Sequence, residues 1–207
     1  MKLPEKTIER LSQYRRTLLN CFANNQTHIF SHELAALLNI TAVQVRRDIM
    51  FLGYSSVQRK GYNIQELINA IGSLLDNKEV MNVAVVGMGH MGTAITAYFR
   101  GKRAKLDIVA AFDVNPEKIG KVISGVICHD VAQLEMIITS LNISVGIITV
   151  PPEFASMVSD KLANSGIKGI LNFTTVPLNV PSEIYLEEYD MITSLEKVAY
   201  FVKDINE

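Results

Sequence analysis

The twelve residues VAVVGMGHMGTA, from Val83 to Ala94, set a run of small and β-branched apolar residues directly before three glycines spaced Gly87-x-Gly89-x-x-Gly92. The run predicts a buried strand, the first glycine a tight turn, and the residues beyond it a helix. In that context the glycines let the backbone approach a pyrophosphate closely, and the free amides at the helix N-terminus hold it. The next apolar run, IVAAFD, ends in Asp113, 21 residues beyond Gly92. A carboxylate there can accept hydrogen bonds from an adenosine ribose diol, and its charge repels a 2′-phosphate, so NAD(H) is expected over NADP(H). A sheet domain with no ligand, or with a different nucleotide, shares the same pattern.

The chain continues in this manner. MNVAVVG, LDIVAAFD, VICHD, ISVGIITVP and IKGILNF are short apolar runs, with a helix expected between each pair. Strands so uniformly apolar are buried on both faces, which predicts an α/β, Rossmann-like parallel sheet covered by helices. From Ile8 to about Asn77 the apolar spacing is instead helical. The change of period places a domain boundary near Asp76 to Glu79, and 207 residues are enough for two small domains. Charge divides the same way. Residues 1–64 carry nine Lys and Arg against four Asp and Glu, whereas the remainder carries eleven against seventeen. A basic lobe on an acidic body predicts that one end meets a polyanion.

Within the basic half, SHELAALLNITAVQVRRDIMFLG, Ser31 to Gly53, reads as helix, turn, helix. Ser31 is placed to cap the first helix, Asn39 and Ile40 to break it, Thr41 to cap the second and Gly53 to end it. Val45, Ile49 and Leu52 share a narrow helical arc that faces the core, which turns Val43, Gln44 and Arg47 outward and leaves Arg46 on the flank. Arginine bonds a guanine edge or a phosphate, glutamine reads adenine and valine touches a thymine methyl, so these types suit a major groove. The following YSSVQRKGYNI supplies the basic, glycine-containing loop of a wing, and a winged helix-turn-helix DNA-binding domain is expected over residues 1–78. Arg15, Arg16, Arg59 and Lys60 then become contacts to phosphate or minor groove, and Tyr62 joins them. A solvated helix face is the plainer reading of two adjacent arginines taken alone.

Catalytic machinery does not follow the glycine motif. A hydride-transfer enzyme needs a substrate pocket with an acid or base and commonly a carboxylate-gripping arginine, yet no arginine follows Arg103. His129 beside Asp130 is a lone pair without a substrate domain, and Tyr98, Tyr185, Tyr189 and Tyr200 form no proton-relay pattern. No catalytic residue is assigned, and the nucleotide reads as a signal rather than a reagent. Only Cys21 and Cys128 occur, too few for a disulfide framework or a four-thiolate zinc site, so no metal is expected. The N-terminus lacks the apolar core of a signal peptide and no run is long enough to cross a bilayer, so a cytoplasmic protein is expected.

Together these features resemble the Rex family of redox-sensing transcriptional repressors over almost the full length. The stretches that carry the resemblance are PEKTIERLSQY, ITAVQVRRDIMFLG, GYNIQELI, VGMGHMGTA, AAFDVNPEKIG, TVP at Thr149 to Pro151, and IKGILNF followed by LNVP at Leu178 to Pro181. The resemblance implies a homodimer that binds palindromic double-stranded operator DNA when NADH is scarce and lets go when the NADH/NAD+ ratio rises. It also implies a domain-swapped C-terminal helix, here residues 193–207, which leaves 79–192 as the NAD(H)-binding domain. SLEKVAYFVKD, about Ser194 to Asp204, offers Leu195, Val198, Ala199 and Val202 as an apolar docking face, although a self-packed terminal helix has the same pattern.

Residue by residue, Gly87, Met88, Gly89, His90, Met91, Gly92 and Asp113 match the family's cofactor positions, and Val150 and Pro151 lie in its TVP stretch. Tyr98 matches its tyrosine near the nicotinamide, Asp190 the acidic residue just before the swapped helix, and Arg46 and Arg47 its paired recognition-helix arginines. There are departures. The family's glycine-lysine-arginine-glycine wing is replaced by Ser56, Val57, Gln58, Arg59 and Lys60 ahead of Gly61, Tyr62 and Asn63. His90 stands where relatives often have arginine or asparagine, and Pro177 replaces a commonly basic position. The expected switch is that NADH, with a neutral ring, lets the two nucleotide domains close around the interface, which moves the recognition helices out of step with successive major grooves. The alternatives are a small NAD(H)-dependent oxidoreductase with an appended helical domain, and a CoA- or nucleotide-binding structural subunit.

Overall fold

The computed structural model describes residues 3–54, 60–101 and 105–203. The chain divides into two compact units, Met1–Lys78 and Glu79–Glu207, each with its own core. In the first unit, helix α1 (Glu5–Ala23) buries Leu11, Tyr14 and Leu18, spaced so that one stripe faces inward. Strand β1 (His28–Ile29), helices α2 (Ser31–Leu38) and α3 (Ala42–Met50), strand β2 (Tyr62–Asn63) and helix α4 (Ile64–Leu75) follow. Leu34, Val45, Ile49, Ile64, Leu67 and Ile71 close the core against that stripe.

The turn between α2 and α3 rests on Asn39, which takes the left-handed conformation at φ 52° and ends α2. Thr41 caps α3, its hydroxyl accepting from the Gln44 N–H at 3.2 Å. The α-helix ends at Met50, and a tightened last turn runs to Gly53 at φ +62°. Ser31 does not cap α2 as expected. Phe30 is the N-cap, and the Glu33 carboxylate accepts from its backbone N–H at 2.7 Å, so a carboxylate three residues on does the work assigned to the hydroxyl. The expected wing lies partly outside the described residues, Arg59 included. Its far side is β2, paired antiparallel with β1, with Ile29 opposite Tyr62. Gly61, at φ +85°, is required there, because a Cβ would stand 2.7 Å from the Ile29 carbonyl oxygen.

The second unit is a seven-stranded sheet of β3 (Met81–Val86), β4 (Leu106–Asp113), β5 (Val122–Ile123), β6 (Val126–Asp130), β7 (Ile143–Ile148), β8 (Gly169–Asn172) and β9 (Tyr185–Glu188), in the order β5-β6-β4-β3-β7-β8-β9. All neighbours are parallel except β5, which joins β6 antiparallel at one edge. Alternate residues of β3 feed opposite faces. Ala84 and Val86 pack with Leu134 and Ile138 of α6 (Leu134–Ser140) and Val158 and Leu162 of α7 (Ala155–Asn164), whereas Val83 and Val85 share the other core with Ile95 of α5 (His90–Phe99). The strand sequence is therefore apolar at every position, not alternating.

Two expectations change here. No helix joins β4 to β6: Asn115 closes an Asx turn, its Oδ1 accepting from the Glu117 N–H at 2.9 Å. Ser124 and Gly125, at φ 51° and 81°, then make the two-residue turn of the β5–β6 hairpin. The last helix, α8 (Met191–Lys203), starts two residues ahead of the expected 193–207 segment, because Asp190 caps it. No residue of α8 is buried, and Leu195 is 69% and Val198 60% exposed. Among the described residues no helix is long and apolar enough to cross a membrane.

Candidate functional site

A cleft of about 540 Å³ opens at the carboxyl ends of β3, β4 and β7, where the strand order reverses. The three glycines do different work at its floor. Gly87 sits at φ +97°, and a Cβ would meet the Thr149 and Val150 backbone at 2.8 Å. Gly92 packs α5 onto the strand end, for a Cβ there would collide with the Gly87 carbonyl oxygen. Gly89, the N-cap of α5, has nothing within 4 Å of its Cβ position, which leaves the helix amides open to the cleft. Thr149 holds the turn shut by donating its hydroxyl to the Gly87 carbonyl at 2.7 Å.

Asp113, only 8% exposed, ends β4 at the side of the cleft. Its Oδ2 accepts from the Met88 N–H and from Lys118 Nζ, each at 2.9 Å, and its Oδ1 accepts from the Asn115 N–H at 2.8 Å. Burial pushes the carboxyl up, but the Asn115 N–H, the Lys118 ammonium and the Met88 N–H outweigh it and hold the group below the ordinary carboxylate range. A carboxylate offers about four lone-pair sites, so these three donors leave one for a ligand. The walls are apolar: Val114 and Val131 beside the acid, and Val150, Pro151, Phe154 and Met157 beyond β7. Such a lining, with a few fixed polar groups, suits a small organic ligand.

Of the residues expected to bind cofactor, the cleft brings together Gly87, Gly89, His90, Met91, Asp113, Val150 and Pro151. Met88 acts behind it, with a buried side chain and an N–H spent on Asp113, and Gly92 acts through packing. Tyr98 does not line the cleft; it is 63% exposed on α5, edge-on to Phe99. Asp190 does not line it either, because its carboxylate caps α8, accepting from the Ile192 and Thr193 N–H groups and the Thr193 hydroxyl, which holds it below its ordinary pKa. Lys118, Thr149, Phe154 and Met157 also line the cleft without being expected there; Lys118 carries a signal as a cation five residues beyond Asp113 and Thr149 as the first residue of the TVP stretch, whereas Phe154 and Met157 carry none. Cys128 is fully buried and burial pushes its thiol up, as an unreactive packed thiol requires.

In the first unit α3 exposes Val43 at 65%, together with Arg46 and Arg47. Gln44 is not turned outward as expected: its Nε2 donates to Asp48 Oδ1 at 2.9 Å. Asp48 is wholly buried and also receives Arg10 Nε at 2.6 Å, Arg10 Nη2 at 2.9 Å and the Tyr14 hydroxyl at 2.7 Å. Burial raises this carboxyl, but the Arg10, Tyr14 and Gln44 hydrogen bonds hold it below its ordinary pKa. The network ties α3 to α1, and nothing in the local pattern announced it. Arg46 donates to the Ser31 hydroxyl at 3.0 Å, which keeps its guanidinium on the flank. Arg15 is drawn inward by Asp76 at 2.6 Å, so its guanidinium is not free for a phosphate as expected. Arg16 and Lys60 are exposed, and the Tyr62 ring lies half-buried against Tyr54 at 6.2 Å.

Comparison with known proteins agrees with both halves. A family model described as "Putative DNA-binding protein N-terminus" matches residues 2–49, and a CoA-binding domain model matches residues 78–176. The chain is 38% identical to the redox-sensing transcriptional repressor Rex of Bacillus licheniformis over 202 residues, 98% of this chain and 94% of that protein. It belongs to the Rex family. A second Rex, from Halalkalibacterium halodurans, is 37% identical over 98% of the chain and 95% of its own length. Rex proteins are transcriptional repressors, not enzymes. Among solved structures, the Rex-family repressor RSP in complex with beta-NAD+ and operator DNA matches with a TM-score of 0.91 at 32% identity, over 100% of this chain and 95% of that one. RSP in complex with beta-NADH matches with a TM-score of 0.87 at 30% identity, over 100% and 97%.

Proposed function

We propose that this chain binds NADH and NAD+ in the cleft between β3, β4 and β7, binds palindromic operator DNA through α3, and releases that DNA when NADH occupies the cleft. The observation that carries the reading is one geometry: an ionised, buried Asp113 facing the same space as the open Gly89 turn. A helix N-terminus takes a pyrophosphate, and a carboxylate at the end of the second parallel strand takes a ribose hydroxyl. The RSP complexes support the same ligands by relation. On the DNA side, Val43 and Arg47 form the reading edge, Arg46 lies beside them, and Arg16 and Lys60 are the phosphate contacts. Arg15 and Gln44 act instead through Asp76 and Asp48, as supports.

The active species is a cytoplasmic homodimer that exchanges α8. A helix with Leu195, Val198 and Phe201 all more than half exposed presents an apolar face suited to a partner, and a second copy of the chain supplies one. The exchanged segment begins at Met191, where Asp190 sets its direction, rather than at residue 193. In this arrangement Tyr98 and Asp190 reach a nicotinamide ring only through the dimer, which accounts for their absence from the cleft of one chain. A gel shift on the organism's own promoter fragments tests the function. Binding that is sensitive to salt, relieved by NADH and unaffected by NAD+, supports it; a shift indifferent to NADH, or turnover of NADH with an acceptor, contradicts it.

A further inference from the structure

Lys118 lies in the turn after β4, five residues beyond Asp113, with its Nζ 2.9 Å from Asp113 Oδ2 and 31% of its side chain accessible. It lines the cleft beside Gly89 and His90, and the same three residues border a second, shallower depression of about 430 Å³ along α5. Among the described residues that line the cleft it is the one lysine or arginine. Proteins of this fold choose between NAD(H) and NADP(H) by charge at the end of the second strand, an acid for the 2′-hydroxyl or a nearby cation for the 2′-phosphate. Here both signs occupy that place. Resting on the nucleotide reading above, we propose that Lys118 is a specificity-determining residue: a cation already placed for a ribose 2′-phosphate, which Asp113 holds occupied.

The consequence is that selectivity belongs to the pair. With Lys118 bound, the local charge is close to neutral, so repulsion of a 2′-phosphate is weaker than a lone carboxylate would give. NADH is preferred because the remaining lone pair on Asp113 accepts a hydroxyl and cannot accept a phosphate, and because the ammonium already has its anion. Without the carboxylate, the ammonium is left facing the position where the phosphate arrives. A hydrogen bond to a charged group is worth enough to change an affinity about tenfold or more.

The test is titration of the full-length protein with NADH and NADPH, followed by nicotinamide fluorescence, reading the ratio Kd(NADPH)/Kd(NADH). Asp113→Asn should lower the ratio about tenfold or more, Lys118→Met alone should raise it, and the double variant should lose the gain of D113N. Asp113 also holds the Met88 and Asn115 amides, so D113N can fail to fold; K118M, in a half-exposed turn, then decides the matter by itself. A ratio unchanged by K118M, or a D113N gain that persists in the double variant, overturns the role of Lys118 while leaving nucleotide binding intact. If the wild-type protein binds neither dinucleotide, the nucleotide reading itself is overturned and this inference with it.

Discussion

Arg47 and Gln44 stand on the same short helix, and the structure gives them different work. Arg47 is exposed, whereas the Gln44 amide is held by Asp48. Arg47→Ala should therefore cost about 1 to 3 kcal/mol of operator affinity and relax base preference at one position, read by competition among operator variants. A uniform loss across all sequences would place Arg47 on phosphate instead. Gln44→Ala should weaken binding without changing base preference. Asp48 itself is a stability group. Its native pKa is depressed, so its contribution is present above the unfolded value and is lost as pH falls through the native one. Urea midpoints taken from pH 6 down to pH 3 should fall in the wild type and less steeply in Asp48→Asn, which starts about 3 kcal/mol less stable because Arg10 is left without its anion. Gln44 and Asp48 stand four residues apart on one helix, a spacing the sequence shows, but the arginine supports are invisible there. The partners are far apart along the chain, Arg10 from Asp48 and Arg15 from Asp76, and helical periodicity has no term for a buried carboxylate that pulls a side chain inward.

Among the elements, those buried on two sides were legible and those at an edge were not. β3, β4, β7 and β8 read as strands because each is a run of apolar residues between two cores, and β6 because Val126, Ile127 and Cys128 open it, although only Val126 and Cys128 are buried, in one core. β5 has two residues and β9 reads YLEE, so neither carries that signal, and the segment after Asp113 forms turns in place of the expected helix, as Pro116, Gly120 and the Ser124–Gly125 pair favour. The cleft followed the same rule. Its glycines and Asp113 were readable from spacing, while Phe154 and Met157 entered through a proline-led turn before α7 that has no motif. α8 offers the clearest element-scale prediction. Leu195, Val198 and Phe201 are each more than half exposed, so Leu195→Glu should leave thermal unfolding of each unit in place, yet convert the proposed dimer to a monomer by light scattering and abolish high-affinity operator binding. A dimer that survives the substitution would reject exchange of α8. Gly92→Ala should destabilise the second unit and lower NADH affinity, since its Cβ has no room beside the Gly87 carbonyl oxygen.

At the scale of the whole molecule, a switch of the proposed kind requires two ligands to bias one equilibrium. Two recognition helices in a dimer meet successive major grooves about 34 Å apart, and a state that changes this spacing cannot hold the operator. NADH acts by preferring that state, which demands a difference in its affinity for the two arrangements and not merely tight binding. Coupling of about 1 to 3 kcal/mol would change operator affinity about 5- to 150-fold. Linkage makes the effect reciprocal, so the most direct measurement is the Kd of NADH for the full-length protein with and without saturating operator DNA at fixed salt. The operator should weaken NADH binding by the same factor by which NADH weakens operator binding. An NADH affinity that stays the same whether or not the operator is bound would rule out this coupling.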